Sequence, residues 1–302
     1  MNRLDRFRGC LLGLATGDAV GTTVEFQPRG SFAPVRDMVG RGPFELKPGE
    51  WTDDTSMALC LATSLVETGG FDPKDQMDRY DNWYRNGYLS SNGRCFDIGS
   101  TVREALIQYK HTGNPHSGLT NMMSAGNGSI MRLAPVPMFY FPDYDKIVHF
   151  CIESSRTTHG TEECLDACQL LGSILYRALD GQGKEEILLG TDTQTINSAR
   201  IQKIARGEYR SKTSHEIEGT GYVVKSLEAA LWCFWTTDSF ETSILKAANL
   251  GDDADTTAAV CGQVAGAFYS ETEIPQKWLN RLAKRKEIEK LADQLHQRKM
   301  AL

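Results

Sequence analysis

Two acidic clusters in the sequence contain the residue types of a metal site. In WTDDT, Asp53 and Asp54 lie between two threonines, and GDDADTT contains Asp253, Asp255 and Thr256. Each cluster stands directly before an apolar helical pattern, where Asp and Thr are common N-caps and the helix dipole favours carboxylates. Capping uses one side-chain oxygen, however, so it does not account for two or three adjacent carboxylates.

These residue types also suit a hard divalent cation. Carboxylate and hydroxyl oxygens are ligands that Mg²⁺ and Mn²⁺ accept, and Asp253-Ala-Asp255-Thr256 offers them in alternation from one turn. Two such clusters that converge would hold two cations ~3.5–4 Å apart, which polarise a substrate oxygen and lower the pKa of a bound water. From the residues alone, helix capping and a two-metal centre remain open alternatives.

Three further segments contain candidates for substrate chemistry. In GLATGDAVGTTVEF, Asp18 and Glu25 are the only acids of a small and apolar run, where burial would raise the pKa of a carboxyl and suit it to acid–base work. In SSRTTHG, His159 precedes a helical pattern, although an isolated histidine is more often a packed residue than a ligand. A glycine-rich segment offers unhindered backbone N–H groups to an anion or a nucleotide base: Gly126, Asn127, Gly128 and Ser129.

Helices must position these segments. Apolar residues recur at helical spacing in TSMALCLATSLVE, STVREALIQYKHT, TEECLDACQLLGSILYRALD, VVKSLEAALWCFW, FETSILKAAN and TTAAVCGQVAGAFY, and the first three patterns end at Gly69, Gly113 and Gly181. Alternation with a period of two is nearly absent, so we predict an all-α, compact multi-helix fold. No linker or internal repeat divides the chain, and we expect one domain over residues 1–302. Residues 184–220 have a blurred pattern and receive no assignment.

Composition narrows the class of protein. The net charge is −6 and no Lys/Arg cluster stands out, so we expect no nucleic acid as a partner. In the opening segment, MNRLDRFRGCLLGLATGDAVG, the apolar stretch from Cys10 to Ala15 is short and broken by glycine, and Asp18 follows it closely. These features favour a core helix over a signal peptide. No apolar run is long enough to span a membrane. The eight cysteines form no CxxC pair, which is typical of a reducing compartment, and we expect a cytoplasmic protein.

Seven segments, taken in order, resemble the ADP-ribosylglycohydrolase family, which includes the dinitrogenase reductase-activating glycohydrolases. They are GLATGDAVGTTVEF, WTDDTSMAL, FDIGSTVREAL, AGNGSIMR, THG, GTGYVVKSLEAALW and GDDADTTAAVCGQVAGA, and they extend over nearly the whole chain. The resemblance implies a compact all-α fold with a binuclear Mg²⁺ or Mn²⁺ centre in a cleft. The metal ligands that it implies are Thr52, Asp53, Asp54, Asp253, Asp255 and Thr256.

The resemblance also implies an activity and a substrate site. The activity is metal-dependent hydrolysis of the N-glycosidic bond between ADP-ribose and a protein arginine, which reverses mono-ADP-ribosylation and releases ADP-ribose. Glu25, Asp97 and Asp253 would be catalytic, with Asp97 facing the guanidinium. Direct attack by a metal-activated water and prior opening of the ribose ring both remain open. The implied contacts to substrate are Asp97, Ser100, Gly126, Asn127, Gly128, Ser129, His159 and Tyr222.

Departures from the family pattern keep alternatives open. Ser100 stands where the nitrogenase-regulating type often has Asn, and NMMSAGNG lacks the acidic residue of that type. An O-linked (serine or O-acetyl) ADP-ribose hydrolase is therefore one alternative, and a non-catalytic metal-containing module that blocks an ADP-ribosyltransferase is another.

Asp253-Ala-Asp255-Thr-Thr257 also fits the DxDxT pattern of haloacid-dehalogenase-type phosphatases. That class needs a buried strand before the first Asp, whereas SILKAANLG predicts a helix here.

Overall fold

A computed structural model describes residues 2–297, and the regular structure within that range is helical. It contains fourteen α-helices and six short 3₁₀ helices, and only isolated β-bridges connect extended residues there. The prediction of an all-α fold is confirmed. The single domain over residues 1–302 stays a prediction, and its outermost residues, Met1 and 298–302, lie outside the described residues.

The α-helices have the following bounds in chain order: α1 Arg3–Gly21, α2 Asp53–Thr68, α3 Pro73–Asn86, α4 Ser100–Thr112, α5 Pro135–Tyr140, α6 Tyr144–Arg156, α7 Glu162–Asp180, α8 Lys184–Leu189, α9 Ala199–Ala205, α10 Val223–Trp235, α11 Phe240–Ala248, α12 Ala254–Tyr269, α13 Gln276–Leu279 and α14 Arg285–Gln297. The 3₁₀ helices span Thr22–Val24, Met122–Ser124, Thr193–Thr195, Glu208–Ser211, Ser214–Glu216 and Glu271–Glu273.

Helix ends follow the glycine pattern of the sequence. Gly69, Gly113 and Gly181 directly follow α2, α4 and α7, and each has a positive φ, which glycine adopts without the steric penalty of a side chain. The unassigned segment 184–220 contains α8 and α9, of 6 and 7 residues, and three 3₁₀ helices. Elements of two turns or fewer are too short to show a helical period.

The helices α1 and α12 pack with their backbones in direct contact. A Cβ atom built on Gly17 would lie 2.1 Å from the carbonyl oxygen of Ala258, and one on Gly13 would lie 2.3 Å from that of Gly262. Only glycine permits such an approach. Glycines recur at every fourth position of α1 and therefore share one face of the helix: Gly9, Gly13, Gly17 and Gly21.

This pair of helices forms the centre of the molecule. Helix α1 is buried from Gly9 to Gly21 and α12 from Ala254 to Ala267, and α2, α7, α10, α11 and α14 pack against one or both. The prediction that the opening segment forms a core helix is confirmed. Because the last residues of α1 and the first residues of α12 are buried, polar residues there are removed from water. Within residues 2–297, no helix combines the length and apolarity needed to cross a membrane.

Candidate metal centre and substrate cleft

The two acidic clusters meet where α2 and α12 begin. Thr52 Oγ1 lies 3.1 Å from Asp255 Oδ2, and Thr256 Oγ1 lies 3.3 Å from Asp54 Oδ2. Segments that are distant in sequence therefore contribute to one polar cluster. It contains all six residues for which metal ligation is predicted: Thr52, Asp53, Asp54, Asp253, Asp255 and Thr256.

The side chains at these two helix starts do not act as caps. Thr52 and Asp253 occupy the N-cap positions of α2 and α12, yet neither side chain accepts a hydrogen bond from its helix. A residue outside the helix caps α12 instead. Glu25 Oε2 accepts hydrogen bonds from the backbone N–H groups of Ala254 at 2.8 Å and Asp255 at 3.3 Å. The capping interpretation is wrong for Thr52 and Asp253, and their oxygens face the other carboxylates.

Asp18 supports the cluster from the end of α1. Its fully buried carboxylate accepts four hydrogen bonds from α2 and the residue before it: from Thr52 N and Oγ1, both at 2.9 Å, and from Thr55 N and Oγ1, at 3.0 and 2.6 Å. Burial raises the pKa of Asp18, while the bonds from Thr55 and Thr52 lower it. Four donors aimed at one carboxylate make Asp18 an acceptor that positions Thr52. It is therefore not free for the acid–base role that its surroundings suggested.

The clustered carboxylates repel one another in a dry environment. Burial is the largest cause of a raised pKa at Asp53 and Asp54, and neighbouring carboxylates raise both further. Burial and then the charge of Asp255 raise the pKa of Asp97 to about 8, and the same two causes raise the pKa of Glu25. No Lys, Arg or His within residues 2–297 forms an ion pair with any of them. The protein thus concentrates negative charge without a protein cation to offset it.

The arrangement fits divalent cations. Asp54 Oδ1 is buried and has no hydrogen-bond partner in the described chain, an arrangement that is costly unless another group satisfies the oxygen. The side-chain atoms that could coordinate a cation here are all oxygens, which hard cations prefer as ligands. Two sets of three carboxylates each place one oxygen per residue within 4.8 Å of the others: Glu25 with Asp253 and Asp255, and Asp53 with Asp97 and Asp255. Glu25, which we expected in catalysis, and Asp97, which we expected in catalysis and substrate binding, are therefore also within reach of a cation.

A cleft of about 290 Å³ adjoins the carboxylates. Asp53, Asp253 and Asp255 line it, whereas Thr52 and Asp54 are buried behind them. Six of the predicted substrate contacts line the cleft: Asp97, Ser100, Gly126, Asn127, Gly128 and His159. Sequence reasoning did not identify its apolar lining, which includes Phe26, Ile98, Val102 and Met131. Their positions in the sequence could have identified them, because each lies within or beside a segment that carries a predicted site residue.

The Gly126–Ser129 loop covers the ring of His159. A Cβ atom on Gly128 would lie 2.7 Å from His159 Cε1, and one on Gly126 would lie 3.3 Å from His159 Nε2, so glycine allows the ring to pack beneath the loop. The backbone N–H groups of Gly128 and Ser129 have no acceptor among the described residues. Free amides next to a cleft are suited to bind an anionic or carbonyl oxygen.

Asn127 connects this loop to the acidic cluster. Its Nδ2 donates to Asp253 Oδ2 at 3.0 Å and to Ser226 Oγ at 3.1 Å. Its backbone N–H donates to the carbonyl of Gly221 at 3.0 Å. The residue predicted as a substrate contact therefore also holds one of the predicted metal ligands in place.

Comparison with known proteins agrees with this geometry. Residues 1–301 match the profile of the ADP-ribosylglycohydrolase family. The chain belongs to that family. ADP-ribosylarginine hydrolase Tri1 of Serratia proteamaculans (strain 568) is 47% identical over 292 residues, which cover 97% of this chain and 79% of Tri1. The ADP-ribosyl-[dinitrogen reductase] glycohydrolase of Rhodospirillum rubrum is 31% identical and aligns with 92% of this chain and 90% of its own.

A solved structure has the same fold. It is described as an ADP-ribosylglycohydrolase-related protein complex, and it aligns with a TM-score of 0.88 and 43% sequence identity over 99% of both chains. The family resemblance and the fold that it implied are confirmed.

Two predicted substrate contacts of this ADP-ribosylglycohydrolase direct their side chains away from the cleft. The Ser129 side chain is buried in the protein and does not line the cleft. Tyr222 donates from its hydroxyl to Glu163 Oε2 at 2.7 Å and accepts from Arg200 Nη1 at 3.3 Å, and it is also absent from the lining. The substrate roles of both residues stay predictions.

Proposed function

We propose that the protein hydrolyses the N-glycosidic bond between ADP-ribose and an arginine side chain of a modified protein. The observation that carries this proposal is the buried group of carboxylates without a protein counter-charge, which opens into a cleft with free backbone amides. The similarity to a named ADP-ribosylarginine hydrolase over nearly the whole chain supports the arginine linkage. We further propose that the carboxylates hold two divalent cations, Mg²⁺ or Mn²⁺.

The chain has ligands for both cations. When bound, they would supply Lewis-acid charge that orients the ribose hydroxyls and lowers the pKa of a water near C1″. Asn127 and Asp18 would keep the ligand groups in place, since they bond to Asp253 and Thr52, respectively. The residues that would hold the cations are Thr52, Asp53, Asp54, Asp253, Asp255 and Thr256.

Asp97 is suited to recognise the leaving group. Its half-buried carboxyl lines the cleft, and without a neighbouring cation its pKa is about 8. A guanidinium next to it would lower that pKa and hold the carboxylate in a charge-assisted pair. Serine has no such charge, so this residue favours an arginine acceptor over an O-linked one. As the C1″–N bond breaks, positive charge develops on the ribose, and the surrounding carboxylates would stabilise it.

The direct test compares two modified peptides. An ADP-ribosylated-arginine peptide and an ADP-ribosylated-serine peptide are incubated with the protein and Mg²⁺ or Mn²⁺, with and without EDTA, and released ADP-ribose is measured. We expect release from the arginine peptide that EDTA abolishes. Release from the serine peptide alone would overturn the acceptor, and no release from either would favour the non-catalytic binding module.

A matched set of variants tests the centre itself. Asp253→Asn and Asp255→Asn each remove a carboxylate of the centre, and we expect a loss of at least ~100-fold in kcat because cation ligands are lost. Asp252→Asn is the control. Asp252 is exposed and contributes backbone hydrogen bonds to residues 26 and 27, and Asn tolerates its positive φ of 56°. Equal losses in all three variants would contradict the assignment.

The phosphatase alternative does not fit the fold. Asp253 follows α11 and directly precedes α12, and no strand lies before it or elsewhere in residues 2–297.

A further inference from the structure

Arg132 is a buried cation without an acidic partner. It is fully buried. Among residues 2–297, no carboxylate forms an ion pair with its guanidinium within 4 Å. A buried charge is costly unless its surroundings are well organised. Its terminal nitrogens donate to neutral oxygens instead: Gly128 O at 2.8 Å, Ser154 O at 3.3 Å, Thr157 Oγ1 at 3.2 Å and Thr158 Oγ1 at 2.7 Å.

The hydrogen bond from Arg132 to Thr158 determines the direction of the hydrogen bond between Thr158 and His159. A guanidinium can only donate, so the Thr158 oxygen accepts from Arg132, and the single hydroxyl proton is left for another acceptor. Thr158 Oγ1 lies 2.9 Å from His159 Nδ1, and no other acceptor in the described chain bonds to it. The hydroxyl therefore donates to Nδ1, and a neutral His159 must carry its proton on Nε2.

His159 Nε2 has no protein partner among the described residues: His159 is 1% exposed, and its ring packs beneath the Gly126–Ser129 loop. His159 lines the cleft, and no residue within 2–297 hydrogen-bonds to its Nε2. Burial and then the charge of Arg132 lower the pKa of His159 to about 3, in keeping with a neutral ring. Arg132 also bonds to the carbonyl of Gly128, so one guanidinium holds both the histidine and the loop above it.

We propose that Arg132 is a positioning residue that acts through Thr158. It fixes His159 as the Nε2–H tautomer, which donates a hydrogen bond to an acceptor oxygen of the bound ADP-ribosyl group beside the Gly126–Ser129 loop. The identity of the ligand rests on the proposed function, whereas the tautomer is a property of the free protein. The two can therefore fail separately.

The tautomer is tested without substrate. Long-range ¹H–¹⁵N correlation spectra of the ligand-free protein distinguish a protonated ring nitrogen from an accepting one, and Thr158→Val identifies the His159 signals because they shift most. We expect an accepting Nδ1 and a protonated Nε2 from pH 5 to 8. A proton on Nδ1, or a doubly protonated ring in this range, would overturn the proposal even if the hydrolase activity is present.

The contribution to binding is tested with three threonine variants. Thr158→Val removes the bond to His159, and we expect about a tenfold rise in KM, or in the Kd for ADP-ribose, with kcat changed less than about twofold. Thr158→Ser keeps the hydroxyl and restores both. Thr157→Val is the matched control, because Thr157 also accepts from Arg132 but does not bond to His159. Equal effects of Thr157→Val and Thr158→Val would reduce the network to packing and overturn the positioning role.

Arg132 itself is tested by Arg132→Lys. Lysine keeps the charge but lacks the planar fork that reaches Gly128 and Thr158 together. We expect a rise in KM or Kd of at least the size seen for Thr158→Val, because the bond to Gly128 is lost as well. Adding Thr158→Val to Arg132→Lys should raise KM or Kd little further, because Thr158 acts only through the path that Arg132→Lys has already interrupted. Full additivity would refute the path. If Arg132→Lys does not fold, the spectra and the threonine variants still decide. If arginine substrates are not hydrolysed but the tautomer and Kd results hold, the proposed function fails and this inference stands.

Discussion

Replacing Gly17 by alanine tests whether the close approach of α1 and α12 is needed for the proposed metal centre. At an unobstructed helix position, Gly→Ala stabilises a protein by about 1 kcal/mol, because alanine loses less backbone entropy on folding. Helix propensity alone therefore predicts a more stable variant. At Gly17 the new Cβ would lie 2.1 Å from the carbonyl oxygen of Ala258, and rotation of a side chain cannot relieve a contact between a Cβ and a backbone atom.

The size of the effect follows from that distance. A carbon–oxygen contact settles at roughly 3.4 Å, so the two helices must separate by about 1 Å near Gly17. Overpacking a core costs about 1–3 kcal/mol. We expect the upper part of that range, because the same shift loosens the neighbouring contacts of the glycine face, such as the one between Gly13 and Gly262. After the gain in propensity, the free energy of unfolding should fall by about 2 kcal/mol.

The same displacement should weaken cation binding. Asp18 follows Gly17 directly and holds Thr52, while Thr256 lies in the first turn of α12, so a shift between the helices moves the predicted ligands apart. Urea unfolding and Mn²⁺ titration calorimetry measure the two effects. Gly70→Ala is the control, since its Cβ would lie 3.9 Å from Tyr140 Oη, and it should change stability by less than about 0.5 kcal/mol. A Gly17→Ala protein as stable as the wild type, with unchanged Mn²⁺ affinity, would refute this reasoning.

Two further predictions concern the carboxylates. Asp18→Asn replaces an acceptor oxygen by an NH₂ group that cannot accept from Thr52 or Thr55, so Mn²⁺ affinity should fall at least about tenfold by calorimetry; unchanged affinity would contradict the positioning role. The pKa of Asp97 is about 8 in the folded protein against an ordinary 3.8, so its contribution to stability is complete below about pH 4 and is lost as pH rises toward 8. In EDTA, the Tm of the wild type should therefore decrease from pH 5 to 8 more steeply than the Tm of Asp97→Asn. Saturating Mg²⁺ should flatten the wild-type curve of Tm against pH. Parallel curves for the two proteins in EDTA would show that Asp97 is not responsible for the pH dependence.

Local pattern in the sequence was enough to predict the long helices and several of their ends. The apolar period of α2 and α7 and the glycines after them are local signals, because a helix is built from contacts between residues three and four positions apart. The helices between residues 184 and 220 are too short to show such a period. Their positions depend on tertiary contacts, such as the bond from the backbone N–H of Ser198, at the start of α9, to Asp166 Oδ2 of α7 at 2.6 Å.

The candidate site was predictable in its composition but only partly in its geometry. Residue types at Asp53 and Asp255 indicated cation ligands, yet nothing local indicates that two helix starts meet; that depends on the α1–α12 contact. Burial of Asp18 could be expected from its apolar neighbours, but its partners come from α2 and decide that it accepts four bonds. The direction of the Tyr222 side chain likewise depends on Glu163, a residue of another helix.

The α1–α12 contact also has a consequence for biosynthesis. Of the described helices, α1 is made first and α12 close to last, and domains fold as their chains emerge from the ribosome. The glycine face of α1 therefore has no partner while the residues between α1 and α12 are translated, and contacts between such distant segments form slowly. A nascent chain that has not reached Asp253 lacks both this partner and the second acidic cluster, which contains Asp253 and Asp255. Cation binding would thus report that translation has passed α12, and ribosome-bound fragments that end before α12 should remain unable to retain Mn²⁺.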